Sequence, residues 1–168
     1  MSVRIVQGDI LDAEENIIVH QVNCKGVMGG GLARQIKKKW PAVYTQYKWL
    51  CGIFECDNVS KALLGRTQYC SIGDSRFVVN MFGQNDFGRD KSKVYTDYNA
   101  VKDCLINVHD TAECNGWTVA IPYGIGCGLG GGDWQGVVLP MILDIFEKSD
   151  VEVKIYMRRR ECLSGLVN

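Results

Sequence analysis

No run of this chain is long and apolar enough to cross a bilayer. Its first ten residues, MSVRIVQGDI, lack the basic-then-apolar form of a signal peptide. A cytoplasmic protein is therefore expected. Charge of either sign is not in surplus, with 19 Lys plus Arg against 19 Asp plus Glu. That balance argues against a general nucleic-acid or membrane-surface binder and leaves only a local basic patch open. Eight cysteines occur without a single Cys-x-x-Cys pair, and Cys51 and Cys56 have no matching histidine pair. A structural zinc site is not expected. Without a secretory signal the cysteines read as small core residues rather than a disulfide frame. Linkers, low-complexity segments and internal repeats are absent too.

Three nucleotide-site and hydrolase patterns are also missing. There is no G-x-x-x-x-G-K-[ST] and no G-x-S-x-G. Gly124-Ile125-Gly126-Cys127-Gly128 does not continue as G-x-G-x-x-G with an acid at the end of a following strand. What is present is a pair of similar stretches. Ile17 to Ala33, IIVHQVNCKGVMGGGLA, begins apolar, turns polar at His20, Gln21 and Asn23, and ends in three glycines before helix-forming residues. Val119 to Trp134, VAIPYGIGCGLGGGDW, repeats that design. Each reads as buried strand, glycine loop, then helix start. Bare backbone N–H groups beside a helix N-terminus suit an anion, so two such loops suggest one phosphate-bearing ligand held between them.

Helical and strand patterns interleave along the chain. Strands are expected at Val3 to Val6, Ile17 to Val22, Trp117 to Ile121 and Val151 to Met157. A further group of short strands is expected between Ile53 and Phe82, in KALLG, TQYCSIG and RFVVNMFG, with a hairpin at Gly73-Asp74. Helices are expected after Gly31, after Pro41, from Tyr95 to Ala112 with Asn115-Gly116 as cap, and from Trp134 to Glu147, where Pro140 must kink or break the helix. The Lys37-Lys38-Lys39 run reads as a solvated helix end, and His109 as a surface or satisfied histidine. Asn85 to Lys93 is a charged loop, either a lid or a plain connection. Asp9 is either a turn or N-cap residue or an acceptor for an exocyclic amine such as that of adenine. One α/β domain with a mixed, mostly parallel sheet between helix layers follows, with its ligand edge at the strand C-termini.

Four segments together resemble the macrodomain family, which binds ADP-ribose: Gly8-Asp9-Ile10, His20-Gln21-Val22-Asn23 through Gly29-Gly30-Gly31, Asn80-Met81-Phe82-Gly83-Gln84, and Ile121-Pro122 through Gly126-Cys127-Gly128-Leu129. The forms HQVNCKGVMGGGLA and GIGCGLGGGDW look most like the branch containing the terminal ADP-ribose protein glycohydrolase and many bacterial and phage members. The resemblance implies a three-layer α/β/α macrodomain over residues 1–158, followed by a tail at 159–168. It implies that Asp9 binds the adenine amine beside the Ile10 backbone. Asn23, with His20 in the strand-end network, lies near the distal ribose. Gly29, Gly30, Gly31 and Leu32 form the first loop, and Ile125, Gly126, Cys127, Gly128 and Leu129 cradle the diphosphate. Phe82 and Tyr156 line the adenine or proximal-ribose side.

The glycohydrolase of this branch uses a lysine after the fourth strand and an aspartate in the second loop. Those positions fall here at Gly83 or Gln84 and at Gly130. A water aligned by Asn23, or by Asp133 as a nearby carboxylate, is left to attack; the plain reading of Asp133 is a helix N-cap. Lys91 and Lys93 read as solvated, with reach from a mobile loop as the alternative. Cys24 and Cys127 have no evident base partner. The expected activity is hydrolysis of ADP-ribosyl linkages or of small ADP-ribose derivatives; the alternative is a non-catalytic reader or sink. No metal and no cofactor are expected beyond ADP-ribose as ligand or product. The expected partners are ADP-ribose or ADP-ribosylated protein or nucleic acid, with no membrane, on a monomer.

Overall fold

The computed structural model describes residues 2–158; Met1 and the tail expected at 159–168 lie outside the described residues. Six strands, β1 Val3–Gln7, β2 Ile17–Asn23, β3 Thr67–Gly73, β4 Arg76–Gln84, β5 Val119–Pro122 and β6 Val153–Met157, form one sheet in the order β1-β6-β5-β2-β4-β3. Every neighbouring pair is parallel except the edge pair β3–β4. Helices α1 Gly31–Lys39 and α2 Pro41–Cys56 cover one face, and α3 Tyr98–Asn115 and α4 Leu139–Phe146 the other. This is the expected three-layer fold.

The central strand shows why. β2 is buried at every position but Gln21. Ile17 and Val19 pack with Val101, Leu105 and Val108 of α3 and with Ile142 and Phe146 of α4. Ile18 packs with Ile36 and Val43, and Val22 with Tyr47, on the opposite side. A parallel strand covered on both faces needs such a continuous apolar run. Each of these side chains contributes about 1.5–3 kcal/mol by leaving water.

Local signals set the helix ends. Pro41 begins α2, where its missing N–H is not needed. Gly116, at φ +65°, closes α3 in the left-handed conformation, and its N–H reaches the carbonyls of Ala112 and Glu113. α3 starts at Tyr98 rather than Tyr95 because Asp97 caps it, accepting from the Ala100 N–H at 3.0 Å. Pro140 is accommodated by a π turn over Trp134–Val138, after which α4 begins with proline in its first turn. The β3–β4 hairpin turns on Asp74 and Ser75, at φ +49° and +55°. Both central residues of a tight two-residue hairpin adopt that hand.

The strand expectation between Ile53 and KALLG is overturned. α2 continues through Gly52 to Cys56, and Ser60–Leu63 is a single 3₁₀ turn. Leu63 is fully buried beside Tyr47 and Cys51, so this segment is apolar because it plugs the α2 side of the core. Cys24, Cys51, Cys70 and Cys104 are buried, as small core residues.

Candidate functional site

The C-terminal ends of β5, β2 and β4 lie side by side, and the loops leaving them enclose a cleft of about 410 Å³. The two glycine loops meet across it: a Cβ on Gly30 would stand 2.9 Å from Leu129 Cδ1. Of the expected binding residues, His20, Asn23, Gly29, Gly30, Gly31, Leu32, Ile125, Gly126, Gly128 and Leu129 line the cleft. Two segments a hundred residues apart in the chain thus form one site.

The first loop is held by one side chain. Asn23 Oδ1 accepts from the Lys25 N–H at 3.0 Å, the Val27 N–H at 3.3 Å and the Tyr47 hydroxyl at 2.8 Å. Its Nδ2 donates to the Val27 carbonyl at 2.8 Å. With two N–H donors on Oδ1, and the single Tyr47 proton shared between Oδ1 and the Asn23 carbonyl at 2.6 Å, the remaining Nδ2 hydrogen is the one left to serve a ligand or water. Asn23 lines the cleft, and its geometry makes it first a clamp on the loop.

The second loop is held from outside. Thr96 Oγ1 donates to the Gly126 carbonyl at 2.6 Å, and the Tyr95 and Thr96 N–H groups both bond the Gly130 carbonyl, at 2.8 and 3.1 Å. Gln21 Nε2 joins Thr96 Oγ1 at 2.8 Å and Gln84 Oε1 at 2.7 Å. This network packs against Gly83 and Gly130. A Cβ on Gly83 would lie 2.5 Å from Gln21 Oε1, and one on Gly130 would meet Thr96 Oγ1 and lie 2.6 Å from the Gly126 carbonyl. Gly126, at φ +73°, would also bring a Cβ within 2.6 Å of Gln21 Oε1. Gly83, Gly126 and Gly130 are thus crowded by one packing arrangement of Gln21, Thr96 and Gln84.

His20 is fully buried in the cleft wall, with Nε2 2.5 Å from Asn80 Oδ1. Asn80 Nδ2 donates to Gln68 Oε1 at 3.0 Å, so Asn80 Oδ1 is an acceptor and His20 carries its proton on Nε2. Burial pulls the imidazole down from 6.5 to about 4 against the opposing bond to Asn80. His20 is neutral at pH 7, and its Nδ1 lone pair has no partner.

Other expected residues lie elsewhere. Phe82 does not line an adenine or ribose wall: it pairs in register with Val22, shares its face, and packs 5.9 Å from the Tyr47 ring, fully buried. Asp133 is the N-cap of the 134–138 turn, accepting from the Gly136 N–H at 2.9 Å, and is not part of the cleft. Cys127 turns away from the cleft, its Sγ 3.3 Å from the Ile125 carbonyl. Burial, then the charge of Asp133, pushes its thiol up to about 11, and burial pushes Cys24 to about 11 as well, so neither is a thiolate at neutral pH.

Asp9, Ile10 and Tyr156 form a flank beyond the cleft walls. Asp9 Oδ1 accepts from the Leu11 N–H at 3.0 Å, as a turn cap, and lies 3.6 Å from Arg158 Nη2. Ile10 is buried, and its carbonyl accepts from the Ala13 N–H at 3.1 Å. Tyr156 packs over Gly8, and its hydroxyl donates to Glu15 Oε2 at 2.7 Å. Desolvation raises the buried Glu15, but the bonds from Lys154 and Tyr156 outweigh it and hold the carboxyl below its ordinary value.

Sequence reasoning missed Gln21, Gln84, Phe87, Arg89 and Tyr123, all of which line the cleft. Lys91 and Lys93 do not; among the described residues Arg89, from the same charged loop, is the one cationic side chain at the wall, and no carboxylate lines it. Among the described residues no three His, Cys, Asp or Glu side chains stand together to hold a metal. No helix among them is long and apolar enough to cross a membrane.

These loops define an anion-binding α/β domain, and comparison with known proteins gives the class. The Macro domain family model matches residues 19–139, and the chain belongs to that family. Over 149 residues it is 30% identical to a DNA ADP-ribosyl glycohydrolase of Mycobacterium tuberculosis, covering 89% of this chain and 40% of that protein. The chain thus spans well under half the length of that curated relative. Among solved structures it is similar to the macrodomain of Mycobacterium tuberculosis DarG, with a TM-score of 0.76, 26% identity, and 92% and 96% of the two chains covered. A Bacteroides thetaiotaomicron protein of unknown function gives 0.80, 26%, 93% and 98%.

Proposed function

We propose that the chain binds ADP-ribose across the two loops and hydrolyses ADP-ribosyl linkages. The observation that carries this reading is the meeting of the loops at Gly30 and Leu129 around a cleft with Arg89 on its wall and, among the described residues, no carboxylate. Backbone N–H groups of 124–130 suit the diphosphate, and Arg89 offsets its charge. Asp9 and the Ile10 backbone take the adenine on the flank. The distal ribose lies by Asn23, whose free Nδ2 hydrogen orients a water, and among the described residues His20 is the one side-chain base at the wall. The activity of a relative named for removing ADP-ribose from DNA supports the hydrolytic reading. The protein needs no metal or cofactor and acts as a cytoplasmic monomer in this account.

A second reading, a reader or sink for ADP-ribose, is favoured by one observation: Gln21 and Thr96 crowd Gly83 and Gly130, where the resemblance would put catalytic side chains of the glycohydrolase branch. Calorimetry with ADP-ribose against ATP tests the ligand. Mass detection of ADP-ribose released from modified acidic side chains, serine or DNA bases tests turnover. Binding with release supports the enzyme; binding without release from any of them leaves the reader.

A further inference from the structure

Charge in this neutral chain is segregated. No Asp or Glu occurs from residue 16 to 54, while six Lys and Arg residues do. The segment builds the outer face of α1 and α2. A second groove there is lined by Arg34, Lys37, Lys38 and Pro41, and it shares Gly29 with the main cleft. Lys39 is committed to Asp12 at 3.9 Å, but Arg34, Lys37 and Lys38 have no carboxylate within 4.0 Å among the described residues. Lysines complement the C-terminal end of a helix dipole, which accounts for some of this charge. It does not account for the aromatics beside it. Lys37 Nζ stands 3.9 Å, and Lys48 Nζ 5.8 Å, from the Tyr44 ring centroid. Trp49 is 69% exposed. Pro41, Thr45 and Trp49 recur at four-residue steps, so the indole continues the stripe that begins at the groove.

We propose that this face docks a single nucleic-acid strand whose ADP-ribosylated nucleotide enters the cleft at Gly29. The inference rests on the ADP-ribose reading of the cleft and names the carrier. Three unpaired cations spaced along one helix suit successive phosphates, and an exposed indole offers a stacking surface that accepts any base. An acidic peptide would use the charges but not the indole. An anionic membrane would need an apolar rim, whereas the groove is walled by cations.

The test compares three ligands on the whole chain: free ADP-ribose, an unmodified short single-stranded DNA, and the same strand carrying one ADP-ribosyl base. The modified strand is expected to bind about tenfold or more tighter than free ADP-ribose at low salt, with a log–log salt slope near −2 for three phosphates. The double variant K37E/K38E should abolish that advantage and W49A should reduce it about fivefold, since each stacked base contributes measurably. Neither should change the affinity for free ADP-ribose. Equal affinities for modified strand and free ADP-ribose, an advantage that survives K37E/K38E, or the same salt-sensitive gain with an ADP-ribosylated acidic peptide or with phosphatidylserine vesicles would overturn the proposal. If free ADP-ribose fails to bind while the unmodified strand still binds through Lys37 and Lys38, the cleft reading fails and the strand surface stands.

Discussion

The two glycine loops look alike in sequence and are built in opposite ways. The first is held from inside, by Asn23 folding back on Lys25 and Val27 within four residues. The second is held from outside, by Thr96 and Gln21, which come from 30 and 105 residues away and carry the Gly126 and Gly130 segment between them. A loop tied to its own strand survives local changes elsewhere. A loop wedged between distant elements depends on their spacing, and its glycines are required both by crowding, at Gly130 and Gly132, and by left-handed backbone, at Gly124, Gly126 and Gly131.

Substitutions should separate the two. The largest effect is expected from Gly130→Ala, whose methyl would collide with Thr96 and the Gly126 carbonyl. Overpacking of this kind costs about 3 kcal/mol, and ADP-ribose affinity should fall more than a hundredfold; urea unfolding and calorimetry read both.

Acidification acts on the strand beneath both loops. The folded His20 sits near 4 against an ordinary 6.5, so the unfolded chain binds more protons between those values. Stability is full above pH 6.5 and is lost as pH falls towards 4, by on the order of 3 kcal/mol. The loss should shrink sharply in His20→Gln, measured by unfolding at both pH values.

Asn23→Ala should cost about 2 kcal/mol, because it strands the Lys25 and Val27 N–H groups and the Val27 carbonyl. Turnover should fall further than affinity if the spare Nδ2 hydrogen orients water; equal losses would reduce Asn23 to a clamp. Thr96→Val keeps shape and removes the hydroxyl bridge, for about 1 kcal/mol and a loss of affinity confined to the second loop. Gly30→Ala should be the mildest, within about 0.5 kcal/mol. Its backbone, at φ −149°, accepts any residue, and the Leu129 methyl it meets is free to move.

Much of this arrangement was legible beforehand because it is local. The apolar run of β2, the glycine triplets, the Gly116 cap and the 85–93 loop announce themselves within a few residues. What escaped is what depends on register. Phe82 stands at the end of an expected strand and the resemblance makes it a ligand wall, but its pairing with Val22 turns it into the core. Thr96 carries no motif and Gln21 has no assigned role in its own, and nothing short of the sheet order brings them to Gly126. Residues 53–63 read as strand because apolar content alone does not separate a short strand from a helix end and a buried turn. Arg89 was hidden among four other charges in its loop, with Lys91 and Lys93 the more obvious candidates.

Backbone amide NMR shifts on titration with ADP-ribose test the central claim most directly. The account predicts saturable shifts in both loops, across 24–31 and 124–131, with one common dissociation constant, and a further response at Asp9 and Ile10. Shifts confined to one loop, or two loops titrating with different constants, would contradict a single ligand gripped between them.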